Sequence, residues 1–207
     1  GKHVLHINIL TGLLLDKLTQ KSDKYFISGN EQYLITTASA LHDIGKIGID
    51  EKILNKPGKL TREEFSIIKT HTTIGADIIN QMTTKMEKPL LRIAGEICRW
   101  HHERWDGHGY PDGLIGEQIP IAAQVVALAD VYDALVSKRP YKNPYTPYEA
   151  CEYLMGGGGI LFDPKVVESL LLYVPFYPKG TQVKLSDGSE VIIVENAGAR
   201  NLRPFIR

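Results

Sequence analysis

Histidine and aspartate return along this chain at nearly one interval. Asp43 and His71 are 28 residues apart, His71 and His101 are 30, and His102 and Asp130 are again 28. Each interval has room for a turn and one or two helices, so successive positions can come back to one end of an α-helical bundle. Imidazole nitrogens and carboxylate oxygens together suit borderline transition metals such as iron, manganese or zinc, whereas magnesium and calcium prefer an oxygen shell. The chain carries seven histidines, at positions 3, 6, 42, 71, 101, 102 and 108.

Apolar periodicity supports the bundle. Leu5, Ile9, Leu10, Leu13, Leu14 and Leu18 recur at helical spacing and predict an amphipathic helix over about 4–18. The segment 19–30 reads as a loop, and helical patterning resumes from Glu31 to Asp43, with Gly45 and Gly48 ending that helix. Thr61 with Glu64, and Thr146 with Glu149, have the spacing of capping boxes, in which side chains satisfy free amides at a helix start. Between them lie helical patterns at 74–82, 90–100 and, opened by Pro120, through about Ser137; residues 103–118 form a long loop with several glycines. Asp163-Pro164 starts a last helix, through about Tyr173. The tail then changes period: 181–185, 190–195 and 202–207 are short β-like runs. The expected fold is all-α, a helical domain over 1–175 with a small C-terminal β appendage over 176–207.

Composition narrows the function. Of 207 residues, 24 are Lys or Arg and 24 Asp or Glu, a formal net charge of zero, which argues against a broadly basic nucleic-acid surface and leaves any anionic ligand to be met locally. Two cysteines, Cys98 and Cys151, are too few for a disulfide framework, and a reducing cytoplasmic setting is the simpler expectation. The longest apolar stretch, 119–136, is broken by Gln124, Asp130 and Asp133, against a membrane span. The helical pattern starts abruptly behind Gly1, so the chain is expected to be cut from a longer protein, its upstream sensory or regulatory domain missing.

The string His42-Asp43-Ile44-Gly45-Lys46, then His71, then His101-His102-Glu103-Arg104-Trp105-Asp106-Gly107-His108-Gly109-Tyr110-Pro111 resembles the HD-GYP branch of the HD hydrolases. Ile119-Pro120, Asp130, Arg139-Pro140-Tyr141-Lys142 and Phe162-Asp163-Pro164 extend the match in the family's order over roughly 1–175. The resemblance implies a metal-dependent phosphodiesterase that hydrolyses cyclic di-GMP to pGpG, and onward to GMP in some members, by attack of a hydroxide bridging two metals on phosphorus. It implies two or three divalent metals, usually iron or manganese, held by His3, His42, Asp43, His71, His101, His102 and Asp130, with Asp43 bridging. His6, one turn from His3, is the alternative first ligand. Lys46 is placed near the scissile phosphate, Arg139 and Lys142 on the non-bridging oxygens, and Tyr110 against the ligand. The Gly109-Tyr110-Pro111 loop is a candidate contact for a diguanylate-cyclase domain.

Blander readings stand beside these. His42-Asp43 alone is more often a polar helix end than a metal site, and Lys46, Arg139 and Lys142 could each be solvated surface charges. Asp130 is harder to dismiss, because an unpaired carboxylate in an otherwise apolar helix is costly and a cation removes the cost. Glu103 is expected to orient the loop or a ligand, and Trp100 to pack. Rival functions are hydrolysis of another cyclic dinucleotide, such as cyclic GMP-AMP, and a catalytically silent cyclic-dinucleotide receptor. The downstream ligand set is complete in this sequence, which favours the enzyme.

Overall fold

The computed structural model describes residues 2–82, 88–138, 143–174, 179–197 and 203–207. Its helices, in order, are α1 (Lys2–Lys21), α2 (Gly29–Ser39), α3 (Glu51–Leu54), α4 (Arg62–Lys69), α5 (His71–Asn80), α6 (Lys88–Trp100), α7 (Ile121–Val136), α8 (Pro147–Gly156) and α9 (Pro164–Tyr173). Strands β1 (Gln182–Lys184), β2 (Glu190–Ala197) and β3 (Arg203–Ile206) form an antiparallel sheet in that order, with Val183 opposite Val191 and Ile193 opposite Ile206. The all-α expectation with a β appendage holds.

The core follows from α7, whose face from Ala122 to Ala129 is buried almost throughout and which packs on α1, α6, α8 and α9. α6 in turn packs on α2, α5 and α7, so α7 and α6 form the spine against which the other helices bury one stripe each. Both capping boxes are present: Thr61 accepts from the Glu64 amide and Thr146 from the Glu149 amide, with each glutamate reaching back to the threonine amide. Asp163 caps α9 through the Lys165 amide.

Two local expectations are corrected. The inward face of α1 is Ile7, Thr11, Leu14, Leu15 and Leu18, while Leu5 and Ile9 point outward, because α7 and α9 meet the helix on the Ile7 side. The helix expected to run to Asp43 stops at Ser39, and Gly45 and Gly48 belong to a separate 3-10 turn over Ile44–Gly48. That turn lies on α5 so closely that a Cβ on Gly45 would stand 1.9 Å from the His71 carbonyl oxygen and 2.5 Å from the Gly75 amide nitrogen. Only glycine permits this approach, and the approach is what carries Asp43 up to His71.

Candidate metal centre

His42 and Asp43 sit where α2 ends, His71 at the first residue of α5, and His101 and His102 just beyond the last turn of α6. Helix ends release the chain at the same pole of the bundle, and five side chains converge there. Ligand atoms of Asp43, His71, His101 and His102 all lie within 4.8 Å of one another, as do those of His3, His42 and Asp43. Asp43 belongs to both groups. Its Oδ2 is 3.3 Å from His42 Nε2, and its Oδ1 is 3.4 Å from His71 Nε2 and 3.8 Å from His101 Nε2.

The tautomers can be read from the backbone. His42 Nδ1 lies 2.9 Å from the Ser39 carbonyl, His71 Nδ1 2.6 Å from that of Ile68, and His101 Nδ1 2.9 Å from that of Ile97. A carbonyl only accepts, so each Nδ1 carries the hydrogen and each Nε2 offers a lone pair to the centre. His71 Nε2 and His101 Nε2 then face each other at 3.5 Å, and the buried His42 Nε2 and Asp43 Oδ1 have no hydrogen-bond partner. Lone pairs and a carboxylate oxygen packed together without a donor are unfavourable as they stand. Divalent cations, one in each of the two ligand groups, would satisfy them, so the donor set fits metal.

Electrostatics agree. Burial pushes His101 far down and His102 down to about 3, and it lowers His71 too, so these imidazoles are neutral, as ligation requires. His42 is the exception: burial works to lower it, but Asp43, with Asp130 behind it, outweighs burial and raises it. Asp43 is held well below the usual carboxylate range by His42 and Lys46 despite its burial. Asp130 is pushed up, first by burial and then by Asp43 across the site, against the pull of His42.

The remaining candidates distribute as follows. His3 Nε2 is 3.4 Å from Asp130 Oδ1, and the His3 ring meets the His42 ring edge-on at 5.6 Å between centroids. His6 faces Asp133, at 2.9 Å, and among the described residues it is His3 of α1 that joins a ligand group. Asp133 also takes His3 Nδ1 at 2.7 Å, and this leaves His3 Nε2 free to face Asp130. In the sequence Asp133 stands out only as a break in an apolar run; its signal is position, one helical turn beyond Asp130 on α7 and therefore on the same face. Lys46 Nζ is 2.5 Å from Asp43 Oδ2, with its side chain 44% exposed. Tyr110 stacks on His102 at 4.9 Å and 25°, and burial followed by the charges of Asp43 and Asp130 raises its phenol. Glu103 accepts from the amides of Asp112, Gly113 and Leu114, so it shapes the loop that presents Tyr110. Trp100 donates to Asp112, which also pairs with Arg99. Arg139 and Lys142 lie outside the described residues.

No described helix is long and apolar enough to cross a membrane. The HD domain family model matches residues 19–166. The chain is 52% identical over 137 residues to a Thermotoga maritima protein named cyclic di-GMP phosphodiesterase, covering 66% of this chain and 36% of that one. It is 45% identical over 147 residues to a Vibrio cholerae protein named 3'3'-cGAMP-specific phosphodiesterase 2, covering 71% of this chain and 27% of that one. The chain thus spans about a third of the length of these curated relatives. The crystal structure of a V. cholerae cyclic GMP-AMP phosphodiesterase, V-cGAP3, superposes with a TM-score of 0.56 at 20% identity over 81% of this chain and 42% of that one, a likeness of fold. With the His42-Asp43 pair, the later histidines and the Gly109-Tyr110-Pro111 loop all at one pole of this fold, the chain belongs to the HD domain family, in its HD-GYP branch.

Proposed function

We propose that the chain is a metal-dependent phosphodiesterase of cyclic dinucleotides, with cyclic di-GMP as substrate and pGpG as first product. The observation that carries the reading is the convergence of the His71 and His101 Nε2 lone pairs, with His42 Nε2 beside them, on Asp43, whose Oδ1 has no hydrogen-bond donor. On this reading His3, His42, Asp43 and Asp130 hold one cation, and Asp43, His71, His101 and His102 hold another. Mixed imidazole and carboxylate donors suit borderline metals such as iron, manganese or zinc, and the HD-GYP resemblance favours iron or manganese among them. Bound divalent cations supply Lewis acidity at the phosphoryl oxygens and make hydroxide available near neutral pH.

The side chains do the rest. Asp43 faces both ligand groups, one oxygen to each, and fixes their separation. Lys46, already charge-paired with Asp43 and half open to solvent, swings its ammonium onto a non-bridging phosphate oxygen. Tyr110, kept protonated by its buried and anionic surroundings, donates its O–H to the ligand. Arg139 and Lys142 are assigned to the phosphate oxygens on their motif alone. Ring opening adds the oxygen of water to phosphorus and breaks the bond to the 3′ oxygen, which leaves with a proton and yields the 5′-phosphate of pGpG. The functional unit is placed within 1–175, with 176–207 as an appendage. Contact of the Gly109-Tyr110-Pro111 loop with a diguanylate-cyclase domain is proposed on the motif alone.

The relative named for 3'3'-cGAMP makes the mixed dinucleotide the second reading. Anaerobic purification, metal quantification and chromatography of cyclic di-GMP, cyclic GMP-AMP and pGpG reactions separate the two. Turnover of cyclic di-GMP is expected with iron or manganese; binding without turnover by metal-loaded protein assigns a receptor instead.

A further inference from the structure

Helix α4 is clamped by its capping box and runs almost directly into α5, yet none of its residues is buried. Phe65 on this helix is 44% exposed. Its ring meets Tyr110 edge-on, at 6.3 Å and 82°, and Tyr110 stacks on His102, so Tyr110 stands between Phe65 and the metal cluster. Lys69, one turn further along α4, holds Nζ 4.9 Å from the Phe65 centroid and 5.3 Å from that of Tyr110. Neighbouring lysines each have a carboxylate partner in the structure, Lys46 in Asp43 and Lys56 in Glu64. Among the described residues, no carboxylate pairs with Lys69.

An aromatic ring half open to water is too exposed to be core. An ammonium set over rings rather than beside a carboxylate keeps its charge available to an anion. Side by side, at the rim of a centre built for phosphoryl chemistry, they match the two parts of a nucleotide. We infer that Phe65 and Lys69 form a nucleotide subsite, in which the Phe65 ring stacks a nucleobase and Lys69 meets a phosphate of the same ligand. Stacking needs only a π-face and is tolerant of base identity, while the ammonium acts as a point charge. The inference rests on the phosphodiesterase reading for the identity of the ligand.

Phe65→Leu keeps apolar bulk and removes the ring, whereas Phe65→Trp keeps a ring. With cyclic di-GMP and manganese-loaded protein, Phe65→Leu and Lys69→Met are each expected to raise KM roughly ten-fold, with wild-type metal content, and Phe65→Trp to hold KM within about three-fold. A KM within two-fold of wild type in either Phe65→Leu or Lys69→Met overturns the subsite, and so does a loss of metal that accompanies the rise. Wild-type protein that binds metal but leaves cyclic di-GMP intact sinks the phosphodiesterase reading, and the subsite is then read with GMP. Phe65→Trp emission should be quenched saturably beyond that of wild type, whose Trp100 and Trp105 set the background, and adding Lys69→Met should weaken the GMP affinity about ten-fold. Quenching no greater than wild type overturns the subsite.

Discussion

At the scale of single residues, Asp43 is the side chain common to both ligand groups. Asp43→Ala is expected to lose metal and turnover together, read by metal analysis of the purified protein; unchanged metal content removes Asp43 from the ligand set. Asp133 makes a different prediction. Its two oxygens accept from His3 and His6, and one of them also accepts from Ser137. Asn at this position has one acceptor oxygen where two imidazoles need two. Asp133→Asn should therefore weaken metal affinity by roughly 10-fold while Asp43→Ala abolishes binding. Competition with a chelator measures both, and affinity equal to wild type in Asp133→Asn denies it the orienting role.

At the scale of elements, the close contact between the 3-10 turn at Ile44–Gly48 and α5 is the joint that holds the site. Gly45→Ala puts a methyl into the His71 carbonyl and the Gly75 backbone, which are main-chain atoms and cannot rotate away. Overpacking of this kind costs about 1–3 kcal/mol or more, and the displaced turn should take Asp43 away from His71, lowering the urea midpoint and the metal content together. A variant with both unchanged shows that the turn can shift without moving the site. Thr146→Ala removes the cap of α8, which carries none of the ligands, and should cost about 1 kcal/mol at constant metal content.

The element scale also explains what the sequence could and could not show. Capping boxes are contacts between residues three apart, so Thr61-Glu64 and Thr146-Glu149 were legible from spacing alone. The end of α2 at Ser39 was not, because the residues that follow remain apolar enough to continue a helix and turn aside only to pack on α5. The inward face of α1 depended likewise on which neighbours it met.

For the whole molecule, the helical body is expected to be separable from the tail. Among the described residues the buried cluster runs from Ile7 to Val174 and includes none from the sheet, whose strands pair with one another. A chain ending at residue 174 is expected to keep its helical circular dichroism and its metal content. Loss of either would make the sheet part of the core.

By itself the sequence determined the chemistry on offer: which imidazoles and carboxylates exist, their recurrence at bundle-length intervals, the caps that start the helices, and the ordered motifs of the HD-GYP branch. Those properties reside in residue type and short-range spacing. Tertiary packing alone decided that His3 reaches the centre while His6 turns to Asp133, that a carboxylate 130 residues away in sequence orients His3, and that Phe65 and Lys69 stand beside Tyr110. Such neighbours belong to different elements, and only the burial of apolar faces against one another sets which side chains meet.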